Sequence, residues 1–176
     1  MCYDKEKEWI VLEIRKAELA DLPRMMEIYA EARNYMRANG NPNQWVNGYP
    51  SEERIREDIG AGESWLCVEN GEVLGAFCFF LHNDPTYDVI YEGSWLNDEP
   101  YGVIHRIAVA QHRRGVASFC YDFALSKCPN LRIDTHKDNI PMQRSLQKNG
   151  FTRCGIIHLQ NGDPRIAFQK QRRSQL

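Results

Sequence analysis

No run of this chain stays apolar for the length that a membrane span needs, so no transmembrane helix is expected. No Cys-x-x-Cys pair occurs either. The six cysteines, Cys2, Cys67, Cys78, Cys120, Cys128 and Cys154, are scattered, mostly inside apolar segments. Neither a zinc site nor a disulfide framework is indicated, and no other metal is expected. Reduced, buried thiols of a cytoplasmic protein are the simpler account. An excess of one charge is missing too. The formal net charge is −2, which offers nucleic acid no overall attraction. The opening residues, Met1-Cys2-Tyr3-Asp4-Lys5-Glu6, are too charged for a secretory signal. There is no internal repeat and no low-complexity tract. What is present is ordinary for a globular chain: 43% hydrophobic and 26% charged residues. The 176 residues suit a single domain, with a core spanning residues 10–170.

Periodicity gives the elements. Residues 9–16 alternate, with Ile10, Leu12 and Ile14 on one side, as a strand does. A helix is expected over 20–39, with Asp21 as its cap, Pro23 in its first turn and Gly40 as its stop. A loop holding Trp45 and Tyr49 leads to a second helix that Ser51 caps. Residues 64–69 and 72–81 read as strands joined by Asn70-Gly71, a strong hairpin signal. Residues 83–100 read as irregular. They carry Asp84, Asp88, Glu92, Asp98 and Glu99, no lysine or arginine, and the aromatics Tyr87, Tyr91 and Trp95. Further on come a short strand over 131–135, a helix over 139–148 capped by Asn139, and strands over 151–159 and 165–169.

Residues 101–125 organise the rest. Val103, Ile107 and Val109 fall at period two, with His105 between them and Ile104 and Ala108 opposite. From Val116 the period becomes helical, through Phe119, Cys120 and Phe123. The joint, Gln111-His112-Arg113-Arg114-Gly115, is polar and basic. A strand that turns directly into a helix leaves the first helix amides without partners, and these suit a phosphate or pyrophosphate. Taken alone, the same joint reads equally well as a surface turn with solvated arginines.

Residues 112–117, His-Arg-Arg-Gly-Val-Ala, resemble the Gln/Arg-x-x-Gly-x-Gly/Ala signature of the GNAT acyltransferases, with His112 where the family usually has Gln or Arg. Residues 139–151, from Asn139 to Gly150-Phe151, resemble its second signature, an Asn that opens a helix closing in Gly-Phe. The element order is the family's as well. The resemblance implies an α/β (α+β) fold: a mixed, mostly antiparallel sheet of about seven strands flanked by four helices. It implies acetyl-CoA as cosubstrate, its pyrophosphate on His112, Arg113, Arg114, Gly115, Val116, Ala117 and Ser118. Its pantetheine arm would lie along Ile107, Ala108 and Val109, where the fourth and fifth strands part, and would touch Asn139. An amide of Ala108 or Val109 would polarise the thioester carbonyl.

Acyl transfer to an amine needs a base, an oxyanion donor and a tolerable leaving group. His105 is the candidate base, expected on the same face as Ile107; a core histidine satisfied by backbone or water fits its apolar neighbours equally. Family members often place a Tyr five residues before the Gly-Phe phenylalanine; here that position is Leu146. Trp45, Glu92 and Trp95 are candidates for the amine site, the acidic segment attracting a cation and the aromatics holding it. Aromatics that cap the core or a homodimer contact are the alternative. The expectation is an acetyl-CoA-dependent N-acetyltransferase acting on a primary amine. A non-catalytic acyl-CoA-binding protein is the runner-up.

Overall fold

The computed structural model describes residues 11–110 and 115–172. Strand β1 (Leu12–Lys16) leads through a 3-10 turn (Leu19–Asp21) into α1 (Leu22–Ala38). Asp21 does not cap α1 as its position in the sequence suggests. Its carboxylate accepts both terminal nitrogens of Arg15 at 2.8 Å and the Glu18 amide at 2.9 Å. Helix α2 (Glu52–Gly60) starts at Ser51, whose hydroxyl accepts the Arg54 amide at 3.1 Å, as its sequence predicts. Strands β2 (Ser64–Glu69) and β3 (Glu72–Phe80) form the Asn-Gly hairpin, with Asn70 and Gly71 both at positive φ. Then follow β4 (Gly102–Val109), α3 (Val116–Lys127), β5 (Asn130–Thr135), α4 (Ile140–Lys148), β6 (Thr152–His158) and β7 (Pro164–Gln171). The sheet order is β1-β2-β3-β4-β5-β7-β6. Every pairing is antiparallel except β4 with β5.

The sheet is covered on both sides. Phe77, Phe79, Ile104 and Phe168 of the sheet pack with Tyr121 of α3 and Leu146 of α4 on one side. Leu66, Ala76 and Ala108 pack with Met25 and Ile28 of α1, and with Ile55 of α2, on the other. The remainder of that second face is covered by the segment between β3 and β4, whose Tyr87 packs on Val103, Ile157 and Ala167. That segment therefore packs on the sheet through Tyr87, Ile90 and Trp95, while most of its other residues stay exposed. It crosses the sheet and hooks over the outer edge of β6, where Tyr91 and Ile156 exchange two backbone hydrogen bonds of 2.8 Å. Gly155 makes the hook feasible: a Cβ there would sit 2.5 Å from the Tyr91 carbonyl.

Strand β4 breaks its own period. His105 pairs with Cys78 and Ala108 with Ala76, so two residues, Arg106 and Ile107, oppose Phe77 alone. Arg106 absorbs the extra step at φ 52°. A one-residue insertion exchanges the faces of everything beyond it. Val103 lies under the β3–β4 segment, together with His105, whose hydrogen-bond partner Asp84 is in that segment. Past the bulge, Ile107 and Val109 pack on the α3 side and Ala108 and Ala110 on the α1 side. The uninterrupted alternation expected from the sequence, with His105 and Ile107 on one face, is thus corrected: they lie on opposite faces.

The bulge is held by charge. Arg106 donates to both oxygens of Asp58, at 2.8 and 2.9 Å, and to the Tyr49 hydroxyl at 3.1 Å. Asp58 is 1% exposed and also receives Arg54 at 2.7 Å. Breaking a buried pair by deleting one partner leaves an uncompensated charge and costs about 3–5 kcal/mol. Asp58→Ala is expected to lower unfolding stability by about that amount. Equilibrium denaturation in urea measures it, and a loss under about 1 kcal/mol, the scale of an exposed pair, would mean that the pair does not hold the bulge.

Candidate active site

The two central strands separate. β4 and β5 pair only at Gly102↔Leu131 and Val103↔Arg132. From Ile104 onward the β5-facing backbone groups of β4 have no strand beside them, and a cleft opens between Ile104–Val109 and Ile133–Thr135. Helix α3 starts at the wide end. Its N-cap, Gly115, sits at φ 88° and caps with no side chain. The Phe119 amide donates to the Gly115 carbonyl, and among the described residues the amides of Val116, Ala117 and Ser118 have no helical acceptor. Gly75 lets α3 settle there, since a Cβ on it would meet Val116 Cγ1 at 3.0 Å and the Ala108 carbonyl at 3.3 Å. Unpaired amides at a helix start fit a pyrophosphate, and an unpaired strand edge fits an extended amide-bearing arm. His112, Arg113 and Arg114 lie outside the described residues. On the far side of the cleft Asn139 caps α4, accepting the Met142 amide at 3.2 Å. Its own amide donates at 2.8 Å to Gln44, in the loop between α1 and α2.

His105 stands at the cleft on the face opposite α3. Its Nε2 is 2.7 Å from Asp84 Oδ2, and its Nδ1 is 3.7 Å from Asp134 Oδ1. Asp134 Oδ1 also accepts the Tyr87 hydroxyl at 2.7 Å. Asp84 is fixed from behind: its Oδ1 accepts the Thr86 amide at 2.9 Å and the Thr86 hydroxyl at 2.7 Å. Side-chain exposures of 21% for His105, 13% for Asp84 and 9% for Asp134 place the group largely beneath the surface, with His105 the most accessible of the three. Burial alone would raise the Asp84 carboxyl. The hydrogen bonds from His105 and Thr86 outweigh it and bring Asp84 down from 3.8 to about 2. Burial pushes the Tyr87 phenol well up, and Asp134 beside it adds to the shift.

The residues proposed for the amine do not gather around His105. Trp45 is 8% exposed, packed edge-on between Tyr29 and Tyr49 beneath α1. Trp95 donates its indole N–H to the Tyr87 carbonyl at 3.0 Å and carries Arg132 over its ring at 4.2 Å. Glu92 lies beyond β6, in a groove of about 500 Å³ with Tyr91, Lys137 and His158. β5, β7 and β6 separate it from His105. The residues that do surround His105, namely Asp84, Tyr87 and Asp134, do not stand out in the sequence as site residues. One signal is present: Leu131-Arg132-Ile133-Asp134 alternates apolar with charged residues in an interior strand, which requires partners on the charged face. Leu146, where a family tyrosine is common, is fully buried between α4 and the sheet. A potential metal-donor group among the described residues, Asp58, Glu63 and Cys78, has its Asp58 oxygens already committed to Arg54 and Arg106.

The sequence profile of the Acetyltransferase (GNAT) family matches residues 22–151. The chain belongs to that family. No curated protein matches it. A GNAT-family acetyltransferase from Streptococcus agalactiae is 32% identical, with 93% of this chain and 96% of that one superposed at a TM-score of 0.84. One from Listeria monocytogenes is 20% identical, covering 91% and 94%, with a TM-score of 0.67. The Salmonella typhimurium protein yncA, solved with its cofactor acetyl-CoA, is 18% identical, covering 93% and 95%, with a TM-score of 0.58. The last two speak for the fold alone. The seven-stranded, mostly antiparallel sheet with four α-helices is the family's fold, and the family's cosubstrate is acetyl-CoA.

The depressed Asp84 has a consequence for stability. A carboxyl lower in the folded than in the unfolded chain stabilises fully above its unfolded value, and loses that contribution as pH falls through its folded one. The window here runs from about pH 4 down to about pH 2, and the shift corresponds to about 2 kcal/mol. Asp84→Asn is expected to remove that part of the acid sensitivity. Urea midpoints at about pH 5 and about pH 2.5, on either side of most of that window, should lie closer together in the variant than in the parent. An equal spacing would contradict the assignment.

Proposed function

We propose that this acetyltransferase moves the acetyl group of acetyl-CoA to a primary amine of a small molecule or peptide, by direct attack on the thioester. The observation that carries the reading is the bulge. It puts His105 on one face of β4 while the edge that would receive the pantetheine arm and the α3 amides that would receive the pyrophosphate open beside the other. An amine approaching under the β3–β4 segment therefore reaches a base and a thioester across one strand. The arrival of acetyl-CoA supplies the activated acetyl group. Ile107, Ala108 and Val109 would line its arm, an Ala108 or Val109 amide would meet the carbonyl oxygen, and Val116, Ala117 and Ser118 would hold the pyrophosphate together with His112, Arg113, Arg114 and Gly115. Asn139 would contact the arm from α4, exchanging its bond to Gln44. On this reading Trp45 and Trp95 shape the surroundings of the amine rather than touch it, and Glu92, beyond β6, lies away from it. The setting is cytoplasmic, in keeping with five free thiols among the described residues; no helix among those residues is long and apolar enough to cross a membrane.

Leu146 favours the second reading, a protein that binds acyl-CoA without turnover. The two differ in thiol release from acetyl-CoA offered with spermidine, phenethylamine and a lysine-bearing peptide. Amine-dependent release is expected; binding by calorimetry with no release for any amine would leave the second reading standing. In the active protein, His105→Ala should lower kcat/KM by about a hundredfold at neutral pH and remove the acid limb of its pH profile. An unchanged profile would rule out His105 as the base. Arg114→Glu, a charge reversal at the pyrophosphate loop, should weaken acetyl-CoA binding at least about tenfold. Equal affinity in the calorimeter would remove the loop from the cofactor site.

A further inference from the structure

The two oxygens of Asp84 have different duties. Oδ1 already takes two donors from Thr86, its amide and its hydroxyl. Oδ2 is left for His105 Nε2 at 2.7 Å. A carboxylate can only accept, so in the neutral imidazole the proton must reside on Nε2. The lone pair is then on Nδ1. The charged and titratable groups on the ring's side are few: Asp84 and the Tyr87 phenol from the β3–β4 segment, Asp134 from β5, and the buried thiol of Cys78, opposite His105 on β3. From β3, Phe80 contributes an apolar ring 5.7 Å away, with His82 stacked on it. Nδ1 and Asp134 Oδ1 are 3.7 Å apart, beyond hydrogen-bond distance, and with Nδ1 bare both atoms can only accept. Once Nδ1 carries a proton, it can donate to that oxygen across a closing gap.

We propose that Asp84 is a positioning residue that fixes the tautomer of His105, so that Nδ1 is the nitrogen that takes a proton from the incoming ammonium, with Asp134 receiving the new N–H. The inference rests on the amine-acetylating reading for its catalytic part, though not for the tautomer itself. The proton balance is simple. The ammonium gives one proton to Nδ1, and the neutral amine forms a C–N bond at the thioester carbonyl. The C–S bond then breaks, and the second nitrogen proton passes to the departing thiolate. The His105 proton returns to solvent, so the sum is amide, free thiol and one H⁺.

Asp84→Asn tests this because Thr86 dictates how the introduced carboxamide lies. The Thr86 amide is a compulsory donor, so the carboxamide must keep its oxygen there, and its NH2 group faces Nε2 as a donor. Nε2 must then be bare, and the ring proton moves to Nδ1. Nitrogen-15 NMR of the ligand-free protein reads the tautomer directly: Nε2–H in the parent, Nδ1–H in Asp84→Asn, and a mixture in Asp84→Ala. Finding Nδ1–H in the parent, or the same tautomer in parent and Asp84→Asn, overturns the proposal. Thiol release with phenethylamine as acceptor reads the catalytic consequence. For Asp84→Asn, kcat should fall at least about a hundredfold with the acetyl-CoA KM within about twofold of the parent. Asp84→Ala, which leaves part of the population with a bare Nδ1, should be the more active of the two. A merely structural carboxylate predicts the reverse order, because Ala also loses the Thr86 bonds; that order, or an unchanged kcat in a variant whose tautomer has switched, also overturns the proposal. If the parent releases no thiol with any amine, the amine-acetylating reading fails, while the NMR comparison still decides the role of Asp84.

Discussion

The whole arrangement depends on one residue of β4 standing in a left-handed conformation. For a side chain larger than glycine that conformation costs about 1–2 kcal/mol. Arg106 adopts it because its guanidinium then meets Asp58 with both oxygens, at the buried end of α2. α2 is short, and Arg54, one turn before Asp58, adds a second guanidinium to the same carboxylate. The ion pair therefore joins a helix end to a strand bulge, and the bulge changes which face each later residue of β4 presents. Without the extra residue, His105 and Ile107 would share a face. On the proposed reading, a base and a cofactor-lining aliphatic would then compete for one side of the sheet.

The parting of β4 and β5 is the second consequence of the same strand. Two residue pairs hold the strands together at their start, and past Val103 nothing bridges them but side chains. Among these, His105 reaches towards Asp134. An open sheet edge in a domain interior exposes backbone donors and acceptors that must find partners elsewhere. The protein lets α3, α4 and the β3–β4 segment surround the opening without filling it. The close approach of that segment to β6, through Gly155, sets how far it can travel across the sheet. It therefore sets where Asp84 and Tyr87 come down on β4 and β5.

Much of the fold is legible in the sequence because local chemistry and long-range packing agree. Asn70-Gly71 makes its hairpin, Ser51 and Asn139 cap their helices, and the strand-to-helix switch at Gly115 stands where the period changes. The site is less legible, for two physical reasons. A bulge leaves no mark on hydrophobic periodicity when residues on both sides of it are apolar; Val103, Ile107 and Val109 look continuous although the step at Arg106 divides them. The only hint is an arginine in the middle of a buried strand, which must find a carboxylate. The acidic segment misleads in the other direction. Its charges read as a field for a cationic substrate, whereas Asp84 is taken up by Thr86 and His105, and Tyr87 is a core residue. Aromatic residues in a polar stretch are ambiguous until the surface they cover is known, and Trp45 and Trp95 both cover the protein's own sheet.

Leu146 is the departure that a mechanism must accommodate, and the energetics of the two partners show why it can. An alkylammonium loses its proton near pH 10.4, so at neutral pH only about one amine in 2,500 is ready to attack. A thiol ionises near pH 8.5, so a departing thiolate is within about two units of neutrality and leaves without a resident acid. Each unit is about 1.4 kcal/mol, which makes the deprotonation of the amine the larger of the two burdens. On the proposed reading, that is where the side chains are concentrated: His105 at the opening, Asp84 and Thr86 behind one nitrogen, Asp134 and Tyr87 beyond the other. The amine's second proton can neutralise the thiolate, because both are present when the C–S bond breaks. On that reading the thiolate needs no resident acid at 146, and the leucine there serves the core between α4 and the sheet.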